Sequence, residues 1–352
     1  MTLATVLEAP AAVVEARLGD ALEDEERRWA QVDPDLAEPF SRLRSFVLRG
    51  GKRLRPAFCW WSFVGAGGDA EDPALADAMA ALELLHAAAL IHDDLIDRSE
   101  RRHGDDTVHV SFASLHRQRG WRGDPGRFGE AAAVLVGDLA LACAGRLIVG
   151  APRAARAVFS EALVEVNAGQ YLDTVGSARG LGSGSARRAR NICRYKTAGY
   201  TVERPMHLGY ALADPGGLDG AAEAISAFAL PLGEAFQLTD DLLGAFGDPA
   251  TTGKGLGEDL TEGKPTLLAA LASRRGSPAE RLRFASTFGD PEAGALEAMR
   301  AHLEATGARS EVEAAVSELI GRAEQARLAL PLRPEAVAAL GEIAAFVAAR
   351  DR

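Results

Sequence analysis

Apolar and polar positions recur with helical spacing along this chain, and no run alternates convincingly with the period of two that marks a half-buried strand. Leu3–Leu18 and Ala21–Gln31 both space Leu, Val and Ala as helices, with acids crowding the first turns of the second. A third helix begins near Pro39, carries Leu43, Phe46 and Val47 inward, and stops at Arg49-Gly50-Gly51. Pro56 fits the start of the next one. From Pro73 an Ala/Leu-rich run without internal Gly or Pro predicts a long buried helix. Thr107–Phe128, rich in Arg, Gly and His, reads as a connection. Helices are expected over Ala131–Ile148, Arg153–Asp173, Arg187–Met206 and Leu218–Phe246. Thr266–Arg274 and the segments beyond it look like amphipathic helices, divided at Gly289–Pro291, Gly307 and Pro331–Pro334. The Gly/Ser stretch Gly176–Ser185 is the best internal break and is only loop-sized. The pattern predicts an all-α chain forming one domain over residues 1–352.

The long helix from Pro73 ends in a way that buried helices should not. After the apolar Ala88–Ile91 come Asp93, Asp94 and Asp97. Asp93 and Asp97 lie one turn apart on one face, so their charges repel, and near a helix C-terminus they also oppose the macrodipole. A hard divalent cation relieves both problems, and Mg2+ suits a site of one or two carboxylates plus phosphate oxygens. An isolated Asp-Asp pair would read as a solvated helix end, but Arg101 and Arg102 follow, offering paired forks for phosphate. A second acid pair, Asp240-Asp241, ends another apolar helix. Two carboxylate clusters with basic residues describe a site for a diphosphate and its metals.

Other stretches add to this. Lys52-Arg53-Leu54-Arg55-Pro56 places three cations after a glycine turn at a helix start, either an anion site or an ordinary basic loop. Taking Asp93 as reference, Ala89, Leu82 and His86 project close to the same side, giving a polar lip above an apolar shaft. Such a slot suits a charged head and a hydrocarbon tail. Gly247–Thr266 carries Lys254, Asp259, Glu262 and Lys264 among five glycines and reads as a closing lid. Gly137-Asp138 has no role legible from the sequence, and the lone Lys196 would by itself be a surface residue.

Composition narrows the classes. With 352 residues, 47% hydrophobic and 25% charged, the chain is ordinary for a globular protein. A net charge of −11 disfavours nucleic acid, and makes phosphorylated substrates acceptable only with divalent cations. Cys59, Cys143 and Cys193 are widely separated and odd in number, which argues against zinc and disulfides and for a reducing compartment. Glu8, Glu15 and Asp20 stand where a signal peptide would be basic and apolar. No run of eighteen apolar residues exists, so a soluble, cytoplasmic chain without stable membrane insertion is expected.

In this order the chain reads GGKRLRP, DDLID followed by RR, KT, FQLTDD, and GK before DLTEGK. With these five motifs the chain, from about Phe40 to about Leu271, resembles the trans-isoprenyl diphosphate synthases of the polyprenyl synthetase family, and bacterial geranylgeranyl diphosphate synthases most of all. The resemblance implies the isoprenoid synthase fold, an antiparallel helical bundle around a central cavity, and a homodimer. It implies that Asp93, Asp97 and Asp240 bind three Mg2+ ions (Mn2+ being the alternative) that bridge an allylic diphosphate, supported by Asp94 and Asp241. Arg101, Lys196, Lys254 and Lys264 would hold that diphosphate, while Lys52, Arg55, His86 and Arg102 would bind isopentenyl diphosphate. Thr197 and Gln237 would lie beside the developing carbocation and Phe236 beside the isopentenyl group. No protein nucleophile is needed for ionisation, condensation and proton loss.

Two departures from the family pattern stand out: Gly244 replaces the third Asp of the second acid motif, and HGDDT follows Arg102 where Gly-x-Pro-Thr is usual. In the family, bulky aromatics four and five residues before the first Asp stop chain growth early. Here those positions are Ala89 and Ala88, and DDLID has no insertion. Leu85 and Leu82, one and two turns deeper, would form a floor, so geranylgeranyl diphosphate is the expected product, with longer chains or farnesyl diphosphate as alternatives. A class I terpene cyclase would need no isopentenyl site, and a non-catalytic partner subunit would have lost ligands that are retained here. A helical binding protein with acidic helix ends is the remaining alternative.

Overall fold

The computed structural model describes residues 2–102, 104–182, 184–247, 257–290 and 292–349. It shows the expected all-α class: among the described residues the only strands are the two-residue β1 (Arg101–Arg102) and β2 (Asp105–Asp106), which pair antiparallel. The chain divides into two compact units.

The first unit takes in residues up to Leu163, with Arg204–Ala222 and Pro331–Leu340. It opens with α1 (Leu3–Ala30), a single helix where two were expected. Gly19 within it costs about 1 kcal/mol relative to Ala. Val14, Leu18 and Leu22 are fully buried on one stripe, each worth roughly 1.5–3 kcal/mol, so burial carries the helix across the glycine. Helix α2 (Ala37–Leu48) buries Phe40, Leu43 and Val47, and α3 (Leu54–Gly65) follows the Gly50-Gly51 turn.

Helix α4 (Pro73–Ile96) is the core of this unit. Asp72 caps its N-terminus through the Ala74 amide, Pro73 occupies its first turn, and Leu75, Met79, Leu82, Leu84 and Leu85 are all 0–1% exposed. Helix α5 (Val108–Gln118) corrects the expected connection at Thr107–Phe128. Its His, Ser, Arg and Gln residues mask a stripe of Val108, Phe112 and Leu115, which is buried. Only residues 119–124 connect it to α6 (Pro125–Ile148). Helix α6 packs along α4, and Gly137 is the reason it can: a Cβ there would strike the His92 ring. That gives Gly137 the role its sequence context hid.

The second unit comprises Val164–Glu203, Glu223–Leu330 and the chain from Gly341. Helix α7 (Arg153–Arg179) runs beyond the expected end at Asp173. Helix α8 (Ser185–Ile192) leads into a π-helical segment over Cys193–Glu203, and α9 (Arg204–Ala213), which belongs to the first unit, follows, so the single helix expected over Arg187–Met206 is three elements. Helix α10 spans Leu218–Phe246, as the periodicity predicted. Leu238, Leu242, Leu267, Leu268, Phe284, Met299 and Leu303 share one apolar cluster, built from α10, α12 (Leu267–Ala272), α13 (Pro278–Thr287) and α14 (Ala293–Ala305). Between α10 and α12 lies the short α11 (Glu258–Thr261); α15 (Ala308–Arg327) and α16 (Pro334–Ala348) complete the chain.

Both α4 and α6 are long and apolar enough to cross a membrane by length and composition. In α4 the most apolar window is 67% buried inside the protein, as a core helix should be. In α6 only 39% is buried, leaving Val134 and Leu135 exposed.

Candidate active site

In the first unit the acid cluster stands at the C-terminal end of α4. Asp97 is the helix cap, and its N–H donates to the Asp93 carbonyl at 2.8 Å, which confirms the one-turn spacing. Asp94 is buried beside them, 1% exposed. Arg102 forks onto its carboxylate, Nε donating at 2.9 and 3.0 Å and Nη2 at 2.6 Å. Burial raises the Asp94 carboxyl above its ordinary pKa, while the Arg102 guanidinium works against that rise. An uncompensated buried carboxylate would be costly, so Arg102 is fixed by the charge it neutralises.

The β1–β2 pair holds Arg102 in place. Arg101 is aligned with Asp106 and Arg102 with Asp105, and the exposed Arg101 guanidinium donates to the Gly104 carbonyl at 2.8 Å. In that departure from the family pattern, Asp105 and Asp106 pair with Arg102 and Arg101. Lys52 is exposed and Arg55 half-buried at the start of α3, and His86 is half-buried on α4. Ala88, Leu85 and Leu82 are each 1% exposed, and Ala89 is half-buried in the turn before Asp93.

In the second unit the π segment carries Lys196 and Thr197. Such segments are rare and concentrate at functional sites. Two glycines make room for this one. A Cβ on Gly169 of α7 would collide with the Lys196 backbone, and one on Gly233 of α10 would lie 2.5 Å from the Ala198 Cα. Lys196 Nζ donates to Asp173 Oδ2 of α7 at 2.6 Å. Thr197 Oγ1 donates to Gln237 Oε1 at 2.5 Å, and Gln237 Nε2 donates to Asp241 Oδ1 at 2.8 Å. This chain fixes the Gln237 amide with its oxygen toward the threonine. Asp240 and Phe236 are half-buried on α10.

Burial, and then the neighbouring Asp259, push the Asp241 carboxyl up to about 8, with Asp240 and Asp173 adding to the rise and Gln237 opposing it. Lys264 pairs with Glu262 at 2.9 Å and stands 4.0 Å from Asp259. The Asp259 carboxylate lies against Gly244, where an added Cβ would be 3.2 Å from Oδ2. The departure at Gly244 thus places a different acid, from the DLTEGK motif, beside the second aspartate cluster. Lys254 and much of the lid expected at Gly247–Thr266 lie outside the described residues.

Asp173 and Arg53 had no role legible in the sequence, although Arg53 lies within GGKRLRP and Asp173 ends an expected helix. The signal for Asp173 was available: like Asp93 and Asp240, it follows an otherwise apolar helical face. Among the described residues no three His, Cys, Asp or Glu side chains converge to hold a metal by themselves. Paired carboxylates with cations nearby fit Mg2+, which completes its octahedron with water and substrate phosphate. They do not fit zinc, whose structural sites need four protein ligands.

A family model described as polyprenyl synthetase matches residues 38–304. The structure superposes with a TM-score of 0.89 on geranylgeranyl pyrophosphate synthase from Corynebacterium glutamicum, solved with isoprenyl diphosphate and magnesium; the two share 36% identity over 98% of this chain and 99% of that one. The (2E,6E)-farnesyl diphosphate synthase of Mycobacterium bovis is 32% identical over 86% of this chain and 80% of its own length. The octaprenyl diphosphate synthase of Escherichia coli is 31% identical over 87% and 88%.

Proposed function

The chain belongs to the polyprenyl synthetase family and is a prenyltransferase, and from that premise we propose that it makes geranylgeranyl diphosphate from isopentenyl diphosphate and a shorter allylic diphosphate. The observation carrying the product length is on α4, where small Ala88 and Ala89 precede Asp93 and buried Leu85 and Leu82 lie one and two turns deeper. Relatives make products from farnesyl to octaprenyl diphosphate, so family membership alone leaves length open.

Asp93 and Asp97 on α4 and Asp240 on α10 would hold Mg2+, with Mn2+ as the alternative ion, and the relative from Corynebacterium glutamicum was solved with magnesium. Bound there, the metal would neutralise the diphosphate leaving group. Arg101, Lys196, Lys254 and Lys264 contribute further positive charge to that group, and Lys196 is held for the task by Asp173. Thr197, its proton committed to Gln237, presents hydroxyl lone pairs to the carbocation. Lys52, Arg55 and His86 bind isopentenyl diphosphate, with Phe236 beside its alkyl group. Arg102 is the fourth group of that site, and its contact with Asp94 fixes it there. The allylic C–O bond breaks, the isopentenyl double bond forms the new C–C bond, and a proton leaves to the released diphosphate. Enzyme groups complementary to separated charge accelerate that first step.

The family match takes in parts of both units, which supports reading the chain as one catalytic domain. A homodimer is supported by the exposed Val134 and Leu135 on the apolar α6, a face that a second copy would cover. The three cysteines are free and buried, in keeping with a reducing, cytoplasmic setting.

The test is to incubate the protein with Mg2+, isopentenyl diphosphate and dimethylallyl, geranyl or farnesyl diphosphate in turn, reading product length by mass spectrometry. A C20 product supports the proposal. Longer or shorter products overturn the length, and no elongation by folded protein overturns the synthase reading.

A further inference from the structure

One cation of the Lys52-Arg53-Leu54-Arg55 run points away from solvent. Arg53 has φ 48° and ψ 40°, a left-handed conformation that residues with a Cβ rarely adopt, and its side chain is 5% exposed. Its guanidinium is engaged on every side. Nη1 donates to Glu83 Oε2 at 2.6 Å, Nε to Glu15 Oε1 at 3.1 Å, and Nη2 to the Val47 carbonyl at 2.6 Å. Glu83 belongs to α4, Glu15 to α1, and Val47 to the last turn of α2, whose carbonyls lack helical partners. A single side chain thus ties three helices to the residue that caps α3.

The placement bears on the substrate. Lys52 and Arg55 lie on either side of Arg53, and Glu83 lies one turn before His86 on α4. Those three are among the groups assigned to isopentenyl diphosphate. A strained backbone persists only where its surroundings over-determine it, and here the buried fork supplies the constraint. The charge of Arg53 is matched by Glu83, 4% exposed, so it acts on its neighbours and not on the substrate.

We propose that Arg53 is a positioning residue for the isopentenyl diphosphate site, locking the Lys52–Arg55 turn to the His86-bearing helix through Glu83. The inference rests on the reading of Lys52, Arg55 and His86 given above. It predicts a selective defect, because a displacement of about 1 Å at a substrate contact can cost up to about a hundredfold.

The experiment uses the full chain with Mg2+, and compares Arg53→Gln, Arg53→Lys, Glu83→Gln, Glu15→Gln and Lys52→Ala. Separate KM values are measured for isopentenyl diphosphate and the allylic diphosphate, and folding is followed by circular dichroism. Arg53→Gln and Glu83→Gln are expected to raise KM for isopentenyl diphosphate about tenfold, with the allylic KM changed less than about twofold. Arg53→Lys recovers part of the loss by retaining the charge without the fork. Should the two Gln variants of the buried pair fail to fold, Glu15→Gln decides: its side chain is 42% exposed, and it is expected to raise the same KM about twofold to threefold. An unchanged KM for isopentenyl diphosphate in the folded variants, or equal movement of both KM values, overturns the proposal. If Lys52→Ala leaves that KM unchanged, the underlying site assignment falls. If Lys52→Ala raises it while Glu83→Gln does not, only the role of Arg53 falls.

Discussion

With the proposed C20 product, replacing Ala89 by Phe should shorten the chain to C15. An added isoprenyl unit lengthens the hydrocarbon by four carbon–carbon bonds of about 1.5 Å each. One turn of helix rises about 5.4 Å, so each turn of α4 corresponds to about one extended unit. Leu85 lies one turn beyond Ala89, and it is 1% exposed and held by the core. Filling the half-buried Ala89 position with an aromatic ring therefore moves the floor one unit toward Asp93. Growth past the ring would have to displace it or the surrounding helices. Overpacking of that kind costs about 1–3 kcal/mol, which slows the final condensation roughly 5- to 150-fold. The converse change, Leu85→Ala, should let the chain extend toward Leu82 and add about one unit. It deletes buried methyl groups at a cost of about 2–5 kcal/mol, so its fold must be checked by circular dichroism. Product distributions from farnesyl and geranyl diphosphate primers, resolved by liquid chromatography and mass spectrometry, read both changes. An Ala89→Phe enzyme that still makes C20 in the wild-type proportion would refute the α4 ruler and place the floor on another helix.

Three further outcomes follow from the same geometry. Asp240→Asn should lower kcat about 10²–10³-fold and raise the Mg2+ concentration needed for half-maximal turnover; an unchanged Mg2+ requirement would remove Asp240 from the metal site. Leu135→Glu, at a position 61% exposed, should change monomer stability by no more than about 0.5 kcal/mol yet dissociate a dimer in light-scattering measurements, and a persistent dimer would show that α6 is not the interface. Gly169→Ala should displace the Lys196 backbone and cut kcat up to about a hundredfold, while the KM for isopentenyl diphosphate stays near wild type; full activity would show that the π segment tolerates the shift.

The helical class and the acid-tipped helices were legible because each rests on local information. The run from Pro73 has no internal breaker and is capped by Asp72, so its start could be read directly, and the spacing of Asp93 and Asp97 needs only the helical repeat. The fused α1 and the hidden α5 were not legible, and the reason is the same for both. Gly19 is a breaker by propensity, and the Val, His and Ser residues of α5 are indifferent helix formers. In each case burial of a sparse apolar stripe outweighs propensity, and burial is a tertiary fact. Arg102 shows a subtler limit. Its presence beside an acid cluster suggested phosphate binding, but its contact with Asp94 was not legible, because residues eight apart in sequence are brought together by a strand pairing that the motif did not announce.

The π segment marks where local reading stops altogether. Nothing in Tyr195-Lys196-Thr197-Ala198 departs from an ordinary helix by composition, and a lone lysine there looks like surface. The information lies instead in two distant glycines. Gly169 and Gly233 leave space on α7 and α10 for backbone that would otherwise collide at Lys196 and Ala198. Within that space, the extra residue per turn re-aims the side chains, so that Lys196 meets Asp173 and Thr197 meets Gln237. Each glycine lowers the intrinsic stability of its own helix by up to about 1 kcal/mol. Helix propensity offers no reason to place glycine at either position. The close approach does, because it fixes the lysine and the threonine on rigid elements before substrate arrives. Preorganised charge is worth most where no reorganisation is needed at the moment of ionisation. On the proposed function, the two glycines belong to the site as much as the residues they admit.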